Sequence, residues 1–226
     1  MSGAPPGVAT PAPGDPAEDA LGRFISPGRK ARVRAALLRR LGSVVVVVEA
    51  VHRRHNTSAI LRSCEAFGVH EVHMVTGPFR PSKGAARGAE RWLELHQHPE
   101  IGPCIASLKA RGFHVVVADL QDDAHTPDSV PVGQPVAIVF GNELEGVSDE
   151  ARALADGAVV VPMLGLTESL NVSVAAACIL QRLTTRRREQ IDAAGDLSEA
   201  RQASFDRMWQ EREDEVRRAR QQRNKA

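Results

Sequence analysis

Tyrosine is absent from the 226-residue chain, and aromatic residues make up only 4% of it. A flat platform on which nucleobases stack is therefore not expected, and Trp92 and Trp209 read as core or helix-docking residues. Cysteine is scarce as well: Cys64, Cys104 and Cys178 are odd in number, widely spaced and without a C-x-x-C pair. That pattern excludes a disulfide framework and a cysteine-rich zinc site, and it fits a reducing cytoplasm. No apolar run reaches the ~18 residues of a membrane-spanning helix, so no membrane partner is expected. The phosphate-cradling fingerprints of α/β proteins are also missing. Without a G-x-G-x-x-G turn or a Walker loop, an ordinary dinucleotide or P-loop enzyme is excluded. His52, His55, His70, His73, His96 and His98 fall in pairs on predicted strand or loop with no third ligand cluster nearby, and no metal site is expected.

The charge that is present is segregated. The net charge is +1, but cutting the chain where composition shifts gives balances of −3 for residues 1–20, +10 for 21–91, −9 for 92–181 and +3 for 182–226. A positive block of this size in a near-neutral chain has the form of an electrostatic footprint for a phosphate backbone; solvated helix faces are the alternative. Residues 1–20 are a Pro/Gly/Ala tract that reads as a disordered tail and not as a targeting signal. Residues 21–42 read as a basic N-terminal helix. Over 29–41 they place Val33, Leu37, Leu38 and Leu41 at helical spacing among Arg32, Arg34, Arg39 and Arg40.

Beyond it, strands and helices alternate. SVVVVVEAV at 43–51 is apolar almost throughout, as a strand buried on both faces of a parallel sheet should be. A helix over 57–67 ends at Gly68, where a left-handed cap is expected. Further strands are predicted at 71–76, 113–119, 136–140 and 158–162, and helices at 99–110, 148–155 and 171–182. The alternation predicts an α/β domain with a mostly parallel sheet over 43–188. Residues 189–226 read as a charged extension, helical over 198–223 and docked only through Phe205, Met208 and Trp209.

Three segments each follow a predicted strand, where open α/β sheets place their ligands. HNTSAILR (55–62) offers Asn56, either a helix cap or a functional amide, and Arg62. VFGNELEGVS (139–148) brackets Glu143 between two glycines and by itself reads as a loop. VPMLGLTESLNVSVAAACIL (161–180) breaks a strand with Pro162 and Gly165, then offers Ser169 or Asn171 as the cap of a helix.

In this order and at these spacings, the three segments resemble the motifs of the SpoU/TrmH branch of the SPOUT methyltransferases. The first matches N-x-x-x-x-x-R after the first strand, the second F-G-x-E-x-x-G-[VI], and the third [IV]-P-M-x-G-x-x-x-S-L-N-V-S-V-A. The resemblance spans about residues 29–188, and HNTSAILRSCEAFGVHEVHMV and SLNVSVAAA are most similar to the tRNA guanosine-2'-O-methyltransferases of that branch. It implies a C-terminal trefoil knot and S-adenosylmethionine held by loop backbone, with Ala118, Gly141, Val161, Met163 and Leu170 lining the pocket. A homodimer through the knot helices around Ala175 to Cys178 is implied too.

The same resemblance implies a catalytic site of Asn56, Arg62, Glu143, Ser169 and Asn171, which moves a methyl group to a ribose 2'-hydroxyl of tRNA, at guanosine 18 of the D-loop. A guanidinium is a poor base, so Arg62 is read as a bidentate phosphate clamp. Arg32, Arg39, Arg40, Arg53, Arg54, Arg80, Lys83, Arg87 and Arg91 are the expected phosphate contacts, with RNA and not DNA as partner. Two other readings stand beside this one: a 23S rRNA 2'-O-methyltransferase of the same superfamily, and a non-catalytic RNA-binding module on the same fold.

Overall fold

The structure is a computed structural model describing residues 27–51, 53–75 and 88–223. The 1–20 tail lies outside these residues, as do Arg80, Lys83 and Arg87. The chain begins with α1 (Pro27–Leu37) and β1 (Leu41–Glu49), followed by α2 (Arg54–Phe67) and β2 (Val69–Val75). A single 3-10 turn (Ala89–Trp92) leads into β3 (Glu94–His98) and α3 (Ile101–Ala110), then β4 (His114–Ala118) and β5 (Val136–Phe140). The last elements are α4 (Asp149–Leu154), β6 (Gly157–Val159), α5 (Val172–Ile191) and α6 (Glu199–Arg223).

All six strands are parallel, in the order β3-β2-β1-β5-β4-β6. The valine run of β1 explains its central place. Val44, Val46 and Val48 meet Ile60, Leu61 and Cys64 of α2 and Ile179, Leu180 and Leu183 of α5 in one core. Val45 and Val47 meet Cys104, Ile105 and Leu108 of α3 and Ala151 of α4 in the other. With helices on both faces, successive side chains of a strand are buried alternately above and below, so neither face can be polar. Gly68 ends α2 at φ 80, and its backbone N–H reaches back to the carbonyls of Cys64 and Glu65. This is the left-handed cap its sequence position predicts.

The structure corrects three expectations. β3 is an edge strand that sequence periodicity did not predict, because its polar side chains Glu94, His96 and His98 face a charged cluster. α5 continues past 182 to Ile191 through an arginine run that hydrogen-bonds the body: Arg186 donates to the carbonyls of Pro127 and Val130, Arg187 to Val132, and Arg188 to Arg39 and Phe67. Arg40, expected on an exposed helix face, follows α1 and is buried; it donates to Val69 O at 2.8 Å and Glu65 Oε1 at 2.9 Å.

α6 docks through the three expected residues, with Phe205 and Trp209 buried against Val33 and Leu37 of α1 and Met208 packed beside them, but not through them alone, since Arg201 also pairs with Glu71 at 2.8 Å and Glu94 at 2.6 Å. The rings of Trp92 and Trp209 lie 5.5 Å apart, so both indoles serve docking. Among the described residues no helix is long and apolar enough to cross a membrane.

Candidate functional site

β1 and β5 are neighbours at the middle of the sheet, and the chain leaves β1 toward β2 but reaches β5 from β4 on the other side. Their C-terminal ends therefore flank a topological switch point, where loops diverge and leave a crevice. Ala50, just past β1, adopts φ 49. A left-handed conformation costs a residue with a Cβ about 1–2 kcal/mol, and here it turns the chain from strand into the α2 approach. Arg53 occupies the cap position without a side-chain cap bond, so Asn56 sits inside the first turn of α2, not at its cap. Asn56, Thr57 and Ser58 are all buried there.

After β5 the chain makes a closed hairpin. Asn142 and Gly146 exchange backbone hydrogen bonds of 2.9 and 3.2 Å, and Asn142 Oδ1 accepts from the backbone N–H groups of Leu144 and Glu145. Only glycine fits at 141, since a Cβ there would lie 2.1 Å from the Gly146 backbone, and Gly146 itself takes φ 72. Two carboxylates that sequence reasoning missed hold this hairpin from behind. Glu49 Oε2, buried at the end of β1, accepts from Ser148 N at 2.9 Å, and Asp119 pairs with Arg152 at 2.7 Å. Burial would raise the Asp119 pKa, but hydrogen bonds from Arg152 and Gln121 outweigh it and lower it below the usual carboxylate range. For Glu49 a signal was present: a charged residue closing an otherwise apolar strand.

The hairpin presents Glu143 to Asn56, whose Nδ2 donates to Glu143 Oε1 at 2.5 Å. Asn171 Nδ2 in turn donates to Asn56 Oδ1 at 3.2 Å, while Asn171 Oδ1 caps α5 by accepting from Ser173 N at 2.9 Å. One side chain from each of the three segments thus joins a single network that fixes the orientation of both amides. Ser169 lies exposed in the loop before α5, outside the network. Arg62 is exposed on α2. Six residues separate it from Asn56, about 9 Å along the axis and about 240° around it, so the two point in different directions.

The other expected positions fall around the same end of the sheet. Ala118 ends β4 and packs, partly buried, against the core, as does Val161; Gly141 is buried directly after β5; Met163 and Leu170 are partly exposed. Leu120, Leu144, Leu164 and Leu166, in the loops after β4, β5 and β6, are 78–104% exposed, an apolar rim that solvent alone covers in a single chain. Among the candidate phosphate contacts, Arg32, Arg39, Arg53, Arg54 and Arg91 are exposed. Arg40 is removed from that set by its burial and its bonds to Glu65 and Val69.

A second polar cluster lies on the β2–β3 edge. Buried Glu71 accepts two hydrogen bonds from Arg111, at 2.6 and 2.8 Å, one from Arg201 at 2.8 Å and one from His73 Nε2 at 2.7 Å. Burial would raise its pKa, but the Arg111 and His73 bonds and the nearby cations hold it well below the usual range. The histidines expected to lack a third ligand do not lack one in space. His73, His98 and Cys104 offer donor atoms within 4.8 Å of one another, and Glu71, His73 and His96 do the same.

A family model described as "SpoU rRNA Methylase family" matches residues 43–181. The chain is 46% identical over 154 residues to the tRNA (guanosine(18)-2'-O)-methyltransferase of Thermus thermophilus, spanning 67% of this chain and 79% of that one. To the enzyme of the same name in Escherichia coli K12 it is 39% identical over 165 residues, 72% of each chain. In structure it is similar to the TrmH/SpoU tRNA modifying enzyme of A. aeolicus, with a TM-score of 0.76 and 31% identity over 82% of this chain and 96% of that one. It is also similar to the SpoU methyltransferase AviRb of Streptomyces viridochromogenes in complex with AdoMet, with a TM-score of 0.57 and 26% identity over 65% and 60% of the two chains.

Proposed function

The chain belongs to the SpoU rRNA methylase family, and from that premise we propose that it methylates the ribose 2'-oxygen of guanosine 18 in tRNA, with S-adenosylmethionine as donor. The observation that carries the reading is the network in which Asn56, Glu143 and Asn171, from three separate strand ends, meet at the switch point. The tRNA assignment follows the relatives named above, two of them tRNA (guanosine(18)-2'-O)-methyltransferases.

The residues present fit the cofactor. Within the described residues, no backbone–backbone hydrogen bond reaches 161–170, so this loop offers free N–H and C=O groups beside the apolar side chains of Val161, Met163 and Leu170. Free backbone groups next to an apolar wall suit an adenine ring, whose edge needs hydrogen bonds and whose faces need contact. When bound, S-adenosylmethionine supplies an electrophilic methyl group on a sulfonium centre.

The protein's own work is positioning. Asn56 has one amide hydrogen committed to Glu143 and its oxygen to Asn171, which locks its plane and leaves its second amide hydrogen to orient a ribose oxygen. Glu143 keeps its second carboxylate oxygen for a hydroxyl or ammonium group. Arg62 clamps a phosphate bidentately and lowers the pKa of the neighbouring 2'-hydroxyl, so the proton leaves to a phosphate oxygen or water. Arg32, Arg39, Arg53, Arg54 and Arg91 add sequence-independent, salt-dependent attraction, joined by Arg80, Lys83 and Arg87 from outside the described residues.

Three finer parts belong to the same proposal. The trefoil knot is supported by the strand order, in which the chain passes β5 and β4 to form β6 and then returns as α5 to pack on α2. The homodimer is supported by the bare Leu164 and Leu166, apolar surface that a second copy would cover. A cytoplasmic location accords with three free thiols.

The test is incubation with labelled S-adenosylmethionine and separately purified tRNA and rRNA, followed by digestion to nucleosides. Label in 2'-O-methylguanosine from tRNA is expected; label from rRNA alone would transfer the reading to an rRNA substrate, and label in neither would leave an RNA-binding module.

A further inference from the structure

We propose that His73, His98 and Cys104 form a binding site for a divalent transition metal ion, zinc foremost, which clips the β2–β3 edge of the sheet to α3. The site is separate from the switch-point crevice and independent of the methyl-transfer reading.

The three residues come from three elements of regular structure: His73 from the body of β2, His98 from the end of β3, and Cys104 from the first turns of α3. Their donor atoms lie within 4.8 Å of one another. The imidazoles of His73 and His98 stack at 4.9 Å, with His73 Nδ1 facing His98 Nε2 at 2.7 Å. Two imidazole nitrogens and one thiolate make a donor set that zinc, cobalt(II) and related borderline ions accept, with room for water in a fourth position. Calcium and magnesium, which take oxygen ligands, do not suit it.

The stronger argument lies one bond further out. A metal-bound histidine ordinarily donates its other ring N–H to a carboxylate, which fixes the tautomer and sharpens the lone pair that faces the ion. His73 is already held that way: its Nε2 hydrogen-bonds Glu71 Oε1 at 2.7 Å, and Glu71 is anchored as a carboxylate by Arg111 and Arg201. Nδ1 is therefore the lone pair, and it points toward His98 and Cys104. Cys104 is fully buried, which keeps its thiol protonated until an ion displaces the proton.

Without an ion, the facing nitrogens share a hydrogen bond. Two nitrogens on one tetrahedral zinc, each about 2.0–2.1 Å from it, stand about 3.3 Å apart. Binding therefore opens the His73–His98 gap by roughly 0.6 Å, a shift that the partly exposed His98 at the end of an edge strand can supply. The protons balance simply. His98 moves its ring hydrogen from Nε2 to Nδ1, and the Cys104 thiol releases its proton to solvent as sulfur becomes a thiolate ligand.

The test uses the full chain, freed of metal by a chelator and titrated with cobalt(II) alone. One equivalent should produce visible ligand-field bands of tetrahedral cobalt and a near-ultraviolet thiolate-to-cobalt charge-transfer band, and zinc should displace both. Cys104→Ala should abolish the charge-transfer band, and His98→Ala should weaken cobalt binding at least about tenfold. Added zinc should raise the Tm of the parent chain and leave that of Cys104→Ala unchanged. Absence of the charge-transfer band in the folded parent chain would overturn the site, as would binding that survives both substitutions. Either failure leaves methyl transfer untouched, because that is read separately in the RNA assay.

Discussion

The centre of the sheet and its β3 edge carry the two polar clusters of this protein, and they are built in opposite ways. At the centre, Asn56, Glu143 and Asn171 make one bond to each neighbour and keep hydrogen-bonding capacity in reserve. At the edge, Glu71 is buried and saturated by Arg111, Arg201 and His73. A saturated cluster fixes structure; an under-used one is free to meet a ligand. The difference assigns stability to the edge and chemistry to the centre, and each assignment can be broken separately.

The largest effect is expected at the edge. Glu71→Gln leaves Arg111 and Arg201 facing a neutral amide; both arginines are partly exposed and Arg201 keeps Glu94, so the loss is about 2–3 kcal/mol, below that of a fully buried pair. Denaturant unfolding should register that loss, while any protein that remains folded keeps its methyl-transfer kcat. At the centre the pattern should invert. Arg62→Lys removes the bidentate fork and should lower kcat by about 10²-fold, with a stability change within about 0.5 kcal/mol, as befits an exposed residue. Single-turnover kinetics beside a melting curve would separate the two.

How far these regions were legible beforehand follows from the same contrast. The central strands could be read because burial on both faces makes them continuous apolar runs, and the glycine-bracketed hairpin because Gly141 and Gly146 are sterically required. Asn56, Glu143 and Asn171 could be named from their motifs, but not the bonds that join residues 87 and 115 positions apart. β3 was missed because its side chains are satisfied by partners from β2 and α6, which makes a strand look like a polar loop. Arg40 was misjudged for the converse reason: helical spacing groups it with Arg32 and Arg39, and only the packing against Glu65 and Val69 turns it inward. The histidines of the edge seemed scattered because Cys104 reaches them only through the fold.

Smaller effects sharpen the central site. Asn171→Ala removes the cap of α5 and should cost about 1 kcal/mol, and it also frees the Asn56 amide to rotate. The expected signature is a larger fall in kcat than the modest loss of stability would explain, measured on protein that is fully folded at assay temperature. Asp119→Asn loosens the Arg152 support behind the hairpin and should cost less than about 1 kcal/mol. Because the folded Asp119 has a depressed pKa, its stabilisation is present above the ordinary aspartate pKa and is lost as pH falls through the lower folded value. The parent chain and Asp119→Asn should therefore differ in Tm near neutrality and converge in acid.

The central claim is that the crevice methylates one ribose oxygen. The most direct measurement offers the protein two tRNA transcripts that differ only by one atom, the 2'-oxygen of guanosine 18, and counts methyl groups transferred from labelled S-adenosylmethionine. One methyl group on the normal transcript and none on the 2'-deoxy transcript is the predicted result. Equal labelling of both would contradict it.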